Sequence, residues 1–247
     1  MSRSRSMHNI EVYPETESLM RAAATRFTAS AQQAIAARGR FAVALSGGTT
    51  PRRLYELLAD EPFVSCVNWA AVHVFWGDER AVPPTDPASN FRLAAEAFLR
   101  RVPIPPQQVY RIRAELPPEE AAADYERTLR AFFDQSKRDD ATFDLVLLGL
   151  GADGHTASLF PHTDAIGERA RWVVAYQVPA LGVWRITLTP PVFNAAQQVL
   201  FLVSGADKAD AVRRVLDGPN CPDEFPAQAI RPVAGEVLWL LDAAAVP

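Results

Sequence analysis

The sequence has few cysteines and lysines, and each shortage narrows the classes of protein to which it can belong. Its two cysteines, Cys66 and Cys221, are far apart in the chain and lack the spacing of metal ligands. This usage favours a reduced, cytoplasmic protein over a disulfide-rich secreted one. Only two lysines, Lys137 and Lys208, stand among 25 Lys and Arg residues, and the net charge is −4. Because basic clusters are also missing, no nucleic-acid partner is expected.

Long apolar runs and nucleotide-binding motifs are missing too. No apolar run reaches the roughly 20 residues of a membrane span, and the basic opening MSRSRSM has no apolar stretch behind it, as a secretory signal would. We expect residues 1–10 to be a disordered lead-in and residues 11–247 to form a single α/β domain. No strand–helix turn carries GxGxxG and no loop ends in GK[ST], so neither a nicotinamide cofactor nor a nucleoside triphosphate is expected.

Apolar strand patterns alternate with helical patterns along the chain. This alternation predicts a mainly parallel sheet with right-handed crossovers and helices that flank it. The predicted helices cover residues 15–38, 51–59, 91–101, 118–135 and 207–216, and the predicted strands cover residues 41–45, 72–76, 143–148, 172–176, 185–189, 199–203 and 237–241.

The segment FDLVLLGLGADGHTASLFP joins one of these strands to a chemically rich turn. Residues 145–148 are all apolar, which is typical of a strand that is buried on both faces of a parallel sheet. A glycine-rich turn follows and places Asp153 and His155 two positions apart. In open α/β sheets, ligands bind beyond the carboxyl ends of the strands. We therefore expect an active site here, with Gly151 and Gly154 allowing the backbone to approach a ligand.

The other histidines are weaker candidates. His8 lies in the expected lead-in, and His73 alternates with apolar residues in VHVFW, which predicts that it packs beside a strand. His162 lies beyond the turn. A single histidine in a loop is often only structural, so that alternative stays open for His155 as well.

The loop SGGTT joins a predicted buried strand to the start of a helix. The free amides at a helix N-terminus and the helix dipole favour an anion, and hydroxyl groups add further donors. Ser46, Gly47, Gly48 and Thr49 are therefore candidate phosphate-binding residues. The alternative is an ordinary strand–helix turn.

Charged residues follow two further strands. The motif GDER carries Asp78 and Arg80, and an arginine at such an edge can bind a phosphate or carboxylate through two hydrogen bonds. Lys208 follows another strand, in SGADK. A solvated rim and a solvated helix face are the respective alternatives. Together the four loops would lie at one edge of one sheet, which supports a shared site more strongly than any single loop does.

The motifs GADGHTASLFP, SGGTTP, FWGDER with the downstream DPASNF, RITLTPPVFN and SGADK, taken together, resemble the 6-phosphogluconolactonase family. The resemblance implies a Rossmann-like fold shared with sugar-phosphate isomerases and deaminases. It also implies hydrolysis of 6-phospho-D-glucono-1,5-lactone in the oxidative pentose phosphate pathway, without a cofactor. By the same resemblance His155 is the catalytic histidine, and the substrate and its phosphate are bound by residues among Ser46, Gly47, Gly48, Thr49, Asp78, Arg80, Asn90, Gly151, Gly154, Arg185 and Lys208.

Two rival functions belong to the same fold. Glucosamine-6-phosphate deaminase carries an acidic residue five positions after its histidine, where this sequence has Phe160, and reads DEY where this sequence has Asp78, Glu79 and Arg80. The differences at Phe160 and at Arg80 favour the lactonase over the deaminase.

A sugar-phosphate-sensing regulator would need a DNA-binding segment, and no helix-turn-helix pattern precedes Glu11.

The lactonase chemistry needs an activated water, an oxyanion site and a proton donor. We expect His155 to act as the general base, with Asp153 or another carboxylate orienting it. Amides of the glycine turn are candidate donors to the oxyanion. Ser158 lacks a GxSxG elbow, which disfavours a covalent nucleophile. One histidine and one aspartate make an incomplete metal site, so none is expected, and the chain is expected to be a monomer or a weak homo-oligomer.

Overall fold

A computed structural model describes residues 9–134 and 142–247. It contains two β-sheets and seven α-helices in these residues. The strands are β1 (Asn9–Tyr13), β2 (Phe41–Leu45), β3 (Val72–Trp76), β4 (Asp78–Arg80), β5 (Leu145–Leu148), β6 (Val173–Val178), β7 (Val183–Leu188), β8 (Gln198–Val203) and β9 (Glu236–Asp242), and the helices are α1 (Thr16–Arg38), α2 (Thr49–Leu58), α3 (Phe63–Cys66), α4 (Asn90–Ala94), α5 (Pro118–Asp134), α6 (Pro190–Asn194) and α7 (Ala209–Leu216).

The larger sheet is parallel throughout, with the strand order β1-β9-β8-β5-β2-β3. Every residue of β2 and β5 is buried, as expected for central strands covered on both faces. From β2 the chain leads first to β3 on one side and later to β5 on the other side. The strand order therefore reverses between β2 and β5, and a crevice opens there at the carboxyl ends of the strands.

The smaller sheet is antiparallel, with the order β4-β7-β6. The strands predicted over residues 172–176 and 185–189 belong to it rather than to the parallel sheet. The chain enters it directly after β3, since Gly77 alone separates β3 from β4. The amide of Gly77 donates to the carbonyl of Leu45, so the two sheets are joined at the carboxyl end of β2.

The predicted Rossmann-like α/β fold is confirmed, and most predicted elements lie within a few residues of their observed bounds. Helix α1 ends as predicted at Gly39, which has a left-handed φ of 74° and donates to Ile35. Helix α2 begins at Thr49 rather than at Pro51. Helix α4 continues as a π-helical turn over Ala95–Leu99. The predicted end of α5 at residue 135, like Lys137, lies outside the described residues.

Strand β1 is missing from the elements expected from the sequence. Asn9 and Ile10 pair with Leu238 and Trp239 of β9, although we had expected residues 1–10 to be a lead-in. The strand lies at the sheet edge and is largely exposed, so its five residues lack the apolar run that marks the central strands. Residues 1–8 lie outside the described part of the chain. Within the described residues, no helix combines the length and apolar character needed to cross a membrane.

Candidate active site

Four loops meet at one edge of the parallel sheet, as expected. They follow β8, β5, β2 and β3, which are neighbours in that order and point in the same direction. The loops after β5 and β2 flank the point where the strand order reverses. This edge is where the fold concentrates the charged and hydroxyl side chains selected from the sequence.

The turn after β5 brings an acid and an imidazole into direct contact. Nδ1 of His155 lies 2.5 Å from Oδ1 of Asp153, and the His155 amide donates to the same oxygen at 3.1 Å. Burial opposes ionisation of Asp153 and is the largest single influence on its pKa. The hydrogen bonds from His155 together outweigh burial, so this pKa is lowered. Because a carboxylate can only accept, Nδ1 is the donor, which leaves Nε2 as an acceptor in the neutral ring.

The position of the His155 ring requires a glycine at residue 151. A Cβ atom on Gly151 would lie 2.0 Å from Nδ1 of His155 and 2.6 Å from Oδ1 of Asp153, inside any real contact distance. The turn is closed by the Gly151 amide, which donates to the His155 carbonyl at 2.8 Å, and the Gly154 amide donates to the Gly151 carbonyl at 3.0 Å. The amides of Gly151, Gly154 and His155 are thus all engaged within the turn. These three amides are therefore not free donors for an oxyanion.

An aromatic ring covers the other side of the imidazole. Phe160 stacks on His155 with 4.2 Å between the ring centroids. Its backbone amide donates to the hydroxyl of Tyr176 at 3.3 Å, which ties the end of the turn to β6. His162 points elsewhere, since it is exposed and its Nδ1 lies 3.1 Å from Asp223. His73 lies in the edge strand β3 and packs against Tyr110 and Phe132. This agrees with the prediction that it has a packing role.

Two arginines face each other on the smaller sheet. Arg80 of β4 and Arg185 of β7 are register partners. Arg80 donates from Nη1 to the carbonyl of Ala88 at 2.7 Å and to Oδ1 of Asn90 at 2.5 Å. No side-chain hydrogen bond of Arg185 is seen within the described residues. Burial, followed by the charge of Arg80, lowers the pKa of Arg185. Like charges on directly opposed strand positions repel, so this pair favours an anion between them.

The loop after β2 has unused hydrogen-bonding capacity beside these arginines. Ser46 is buried, and its Oγ has no hydrogen-bond partner in the described residues. Its backbone is held by the hydroxyl of Tyr55, which donates to the Ser46 carbonyl at 2.6 Å. Gly48 precedes α2 with φ of 99°, and no side chain caps the first turn of that helix, which Thr49 begins. The buried hydroxyl and the uncapped helix end fit an anionic ligand.

Asn90 and Asp78 lie beneath these groups. Asn90 is buried, and its Nδ2 donates to the carbonyl and to Oδ1 of Asp78 at 2.9 and 3.2 Å. A Cβ on Gly47 would lie 1.6 Å from Oδ1 of Asn90, so only glycine permits this packing. Asp78 is also buried, and its Oδ2 accepts from Ser158 at 2.6 Å. Both predicted binding residues therefore contact other loops of the site.

Lys208 is placed differently from the arginines. Its Nζ lies 3.0 Å from Oδ2 of Asp207, and its side chain is partly exposed. Its loop is held by Asp242 at the end of β9, whose carboxylate accepts from the Gly205 amide at 3.1 Å and from the Thr16 hydroxyl at 3.0 Å. No contact joins Lys208 to the arginine pair or to His155 in the described structure.

Sequence reasoning missed three residues that hold the site together. Glu79 is buried and accepts from the amides of Asn90 and Phe91 at 2.7 and 2.8 Å, thereby fixing the start of α4. No motif in the sequence includes Asp242, and Ser158 enters only as a nucleophile that the missing GxSxG elbow disfavours. The available signal was a carboxylate within three residues of the end of a predicted strand, which is the strand over residues 72–76 for Glu79 and the strand over residues 237–241 for Asp242. Across residues 9–134 and 142–247, no three or more His, Cys, Asp or Glu side chains are grouped to hold a metal ion.

Fold and site define the class of the protein: an α/β enzyme whose site opens at the carboxyl edge of a parallel sheet. Residues 14–239 match the family described as glucosamine-6-phosphate isomerases/6-phosphogluconolactonase. A Nostoc protein named 6-phosphogluconolactonase is 42% identical over 238 residues, which cover 96% of both chains. The chain belongs to this family, and the predicted family, fold class and enzyme class are confirmed.

Solved structures agree with this assignment. The crystal structure of 6-phosphogluconolactonase from Thermotoga maritima is 30% identical and has a TM-score of 0.80, covering 95% of this chain and 99% of that one. A monomeric glucosamine-6-phosphate deaminase has a TM-score of 0.79 at 22% identity, covering 96% of this chain and 98% of that one. At that identity the likeness concerns the fold alone.

Proposed function

We propose that this protein hydrolyses 6-phospho-D-glucono-1,5-lactone to 6-phospho-D-gluconate, with His155 as the general base. The observation that carries the proposal is the Asp153–His155 pair in the loop after β5, together with the opposed arginines Arg80 and Arg185 of the smaller sheet, which the chain enters at the carboxyl end of β3. The names of the similar proteins support the lactone as substrate. The proposal includes a cytoplasmic location, a monomeric or weakly associated state, and a place in the oxidative pentose phosphate pathway.

The proposed reaction begins with a water molecule beside Nε2 of His155. Water attacks C1 of the lactone while Nε2 takes one of its protons. The bond between C1 and the ring oxygen then breaks, and the ring oxygen takes that proton from the imidazolium. The new carboxyl group ionises at neutral pH, so one proton is released overall. Asp153 holds Nδ1 and stabilises the imidazolium, and a positioned base of this kind contributes about 10²–10⁴-fold to the rate.

The proposed phosphate site consists of the two arginines and the loop after β2. The guanidinium of Arg185 and the Oγ of Ser46 are the groups without partners in the described structure, and the uncapped amides of α2 add donors. In this loop Gly47 packs against Asn90 and Gly48 leads into α2, and Lys208 would reach the phosphate from the loop after β8, two strands away from β2. Binding energy from the phosphate, which does not react, would hold C1 near His155 and so lower the barrier.

Two other functions are weaker candidates. In a deaminase, an acid would stand where Phe160 stacks on His155 at 4.2 Å, and a phenyl ring cannot transfer a proton. A sugar-phosphate sensor needs only the anion site, and the bonded Asp153–His155 pair would then have no use. Neither rival has an observation in its favour that the lactonase lacks.

The direct test follows ring opening of freshly generated 6-phosphogluconolactone by proton release, in the presence of a chelator. We expect purified protein to exceed the spontaneous rate and His155→Ala to lose most of the excess. A rate equal to the spontaneous one would contradict the proposal. Glucosamine-6-phosphate is the companion substrate, and enzymatic ammonia release would favour the deaminase instead.

A further inference from the structure

The histidine and the arginines of the site belong to different segments, and a buried chain of hydrogen bonds connects the segments. We call it the Asp78 bridge, which consists of the Ser158 hydroxyl, the Asp78 carboxylate and the Asn90 carboxamide. Ser158 Oγ donates to Oδ2 of Asp78 at 2.6 Å, and Nδ2 of Asn90 donates to Oδ1 at 3.2 Å. Each carboxylate oxygen thus accepts one hydrogen bond.

The bridge is inaccessible to a ligand. Ser158 and Asn90 are each 1% exposed and Asp78 is 7% exposed. A carboxylate that is buried to this extent is stable only when its oxygens are hydrogen-bonded. Asp78 therefore cannot give up these partners to reach a substrate, although the resemblance had placed it among the binding residues.

One end of the bridge lies at the anion site. Oδ1 of Asn90 accepts from Nη1 of Arg80 at 2.5 Å, and the same oxygen packs against Gly47 so closely that a Cβ there would be 1.6 Å away. Asn90 thereby fixes the guanidinium of Arg80 and the loop after β2. Any movement of Asn90 would displace two of the elements that surround the anion site.

The other end lies on the histidine turn. Ser158 follows His155 by three residues, and the Ser158 carbonyl accepts from the Tyr176 hydroxyl at 2.5 Å, while its amide lies 3.4 Å from the hydroxyl of Thr187. All three polar groups of Ser158 are engaged. Tyr176 and Thr187 tie the backbone of Ser158 to β6 and β7, and the bond to Asp78 ties its side chain to β4 and, through Asn90, to Arg80.

We propose that Asp78 is a positioning residue, which holds the histidine turn at a fixed distance from Arg80 and Asn90 so that a lactone anchored by its phosphate presents C1 to His155. This inference rests on the proposed lactonase function. It predicts that the bridge matters for the chemical step of an anchored substrate. It does not predict an effect on anchoring itself, nor an equal effect on a substrate without the phosphate.

The experiment compares Ser158→Ala with wild type on two substrates, 6-phosphogluconolactone and unphosphorylated glucono-1,5-lactone. For Ser158→Ala we expect kcat on the phosphorylated lactone to fall about ten- to a hundredfold, as for a small misplacement of a catalytic group. The Kd of 6-phosphogluconate, measured by calorimetry, should change by less than about twofold, since the loss of one buried hydroxyl leaves Arg80 and Asn90 paired. The slow rate on glucono-1,5-lactone should fall much less.

Two further variants keep the test decisive. Ser158→Gly also removes the hydroxyl but leaves Asp78 paired with Asn90, and if Ser158→Ala does not fold it should likewise lower kcat on the phosphorylated lactone while leaving the Kd of 6-phosphogluconate unchanged. Thr28→Val removes a hydroxyl that is buried in α1 and bonded to the Ala24 carbonyl, so it controls for general loss of stability. An equal loss on both lactones, an unchanged kcat, or a weakened product affinity would overturn the inference. A wild-type protein without lactonase activity would instead overturn the proposed function.

Discussion

The two parts of the candidate site are assembled in opposite ways. The histidine turn is local, since Gly151, Asp153 and His155 contact one another within five consecutive residues. The arginine pair is not local, because Arg80 and Arg185 are far apart in the chain and meet only through the pairing of β4 with β7. The turn is recognisable as a motif, whereas the pair exists only when the smaller sheet has formed.

The histidine turn and the arginine pair also differ in the physical constraint on each, which is steric in the turn and electrostatic in the pair. The turn depends on a position where no side chain fits, and its hydrogen bonds are completed inside the turn. The pair brings two positive charges together, and burial with the charge of Arg80 lowers the pKa of Arg185. A locally complete motif suits a catalytic group that must not move. A repulsive pair suits a ligand that supplies the missing negative charge.

The largest effect should come from removing the base. We expect His155→Ala to lower kcat by about 10²–10⁴-fold without loss of the fold. His162→Ala is the matched control, because that imidazole also lies beside an aspartate but is exposed and outside the turn. Similar losses in both variants, measured on folded protein, would contradict the assignment.

A second test displaces the imidazole without removing it. In Gly151→Ala the new Cβ would overlap Nδ1 of His155, and we expect kcat to fall by about 10²-fold while the Kd of 6-phosphogluconate is retained. Gly149→Ala is the control in the same loop, since a Cβ there meets nothing within 4 Å. A normal kcat in Gly151→Ala would show that the ring position tolerates change.

A third test removes one arginine of the pair that β4 and β7 bring together. Arg185→Ala should weaken binding of 6-phosphogluconate by about ten- to a hundredfold, the loss expected for a charge-assisted hydrogen bond. Calorimetric titration measures this, and Arg127→Ala on the exposed face of α5 is the control. If Arg185 were only a solvated charge, both variants would bind the product equally.

Lys208 should contribute less than the arginines. Asp207 already neutralises part of the ammonium charge at 3.0 Å, so we expect Lys208→Ala to weaken product binding by about three- to tenfold. The same titration measures it. A loss as large as that of Arg185→Ala would mean that Lys208 leaves Asp207 to bind the phosphate.

The smallest effect concerns the stability of the turn. The pKa of Asp153 is lowered in the folded protein, so its contribution is fully present above the usual value of 3.8 and is lost as the pH falls through the lower folded value. With 49% of the side chain exposed, we expect less than about 1 kcal/mol. Urea denaturation of wild type and Asp153→Asn measures the difference, which should shrink below pH 3.8. A constant difference would contradict this explanation.

The sequence predicted those parts of the fold that repeat a simple pattern. The central strand β2 was predicted to the residue, because a fully buried parallel strand is a continuous apolar run. The edge strand β3 was also predicted to the residue, since His73 interrupts its apolar pattern at only one position. Strand β1 escaped prediction because an exposed edge strand has no such pattern. The smaller sheet escaped because β4 is only three residues long, so its pairing with β7 leaves no periodic signal in the chain.

The sequence by itself determined the histidine turn, because its glycines, acid and imidazole act on neighbours that the chain places within hydrogen-bonding distance. It also determined which four loops share the sheet edge, since parallel strands end on one side. Only the tertiary structure decided that Arg185 opposes Arg80 and that the carboxylate of Asp78 bonds Ser158 and Asn90. Those contacts depend on strand register and burial, which arise when distant segments pack together.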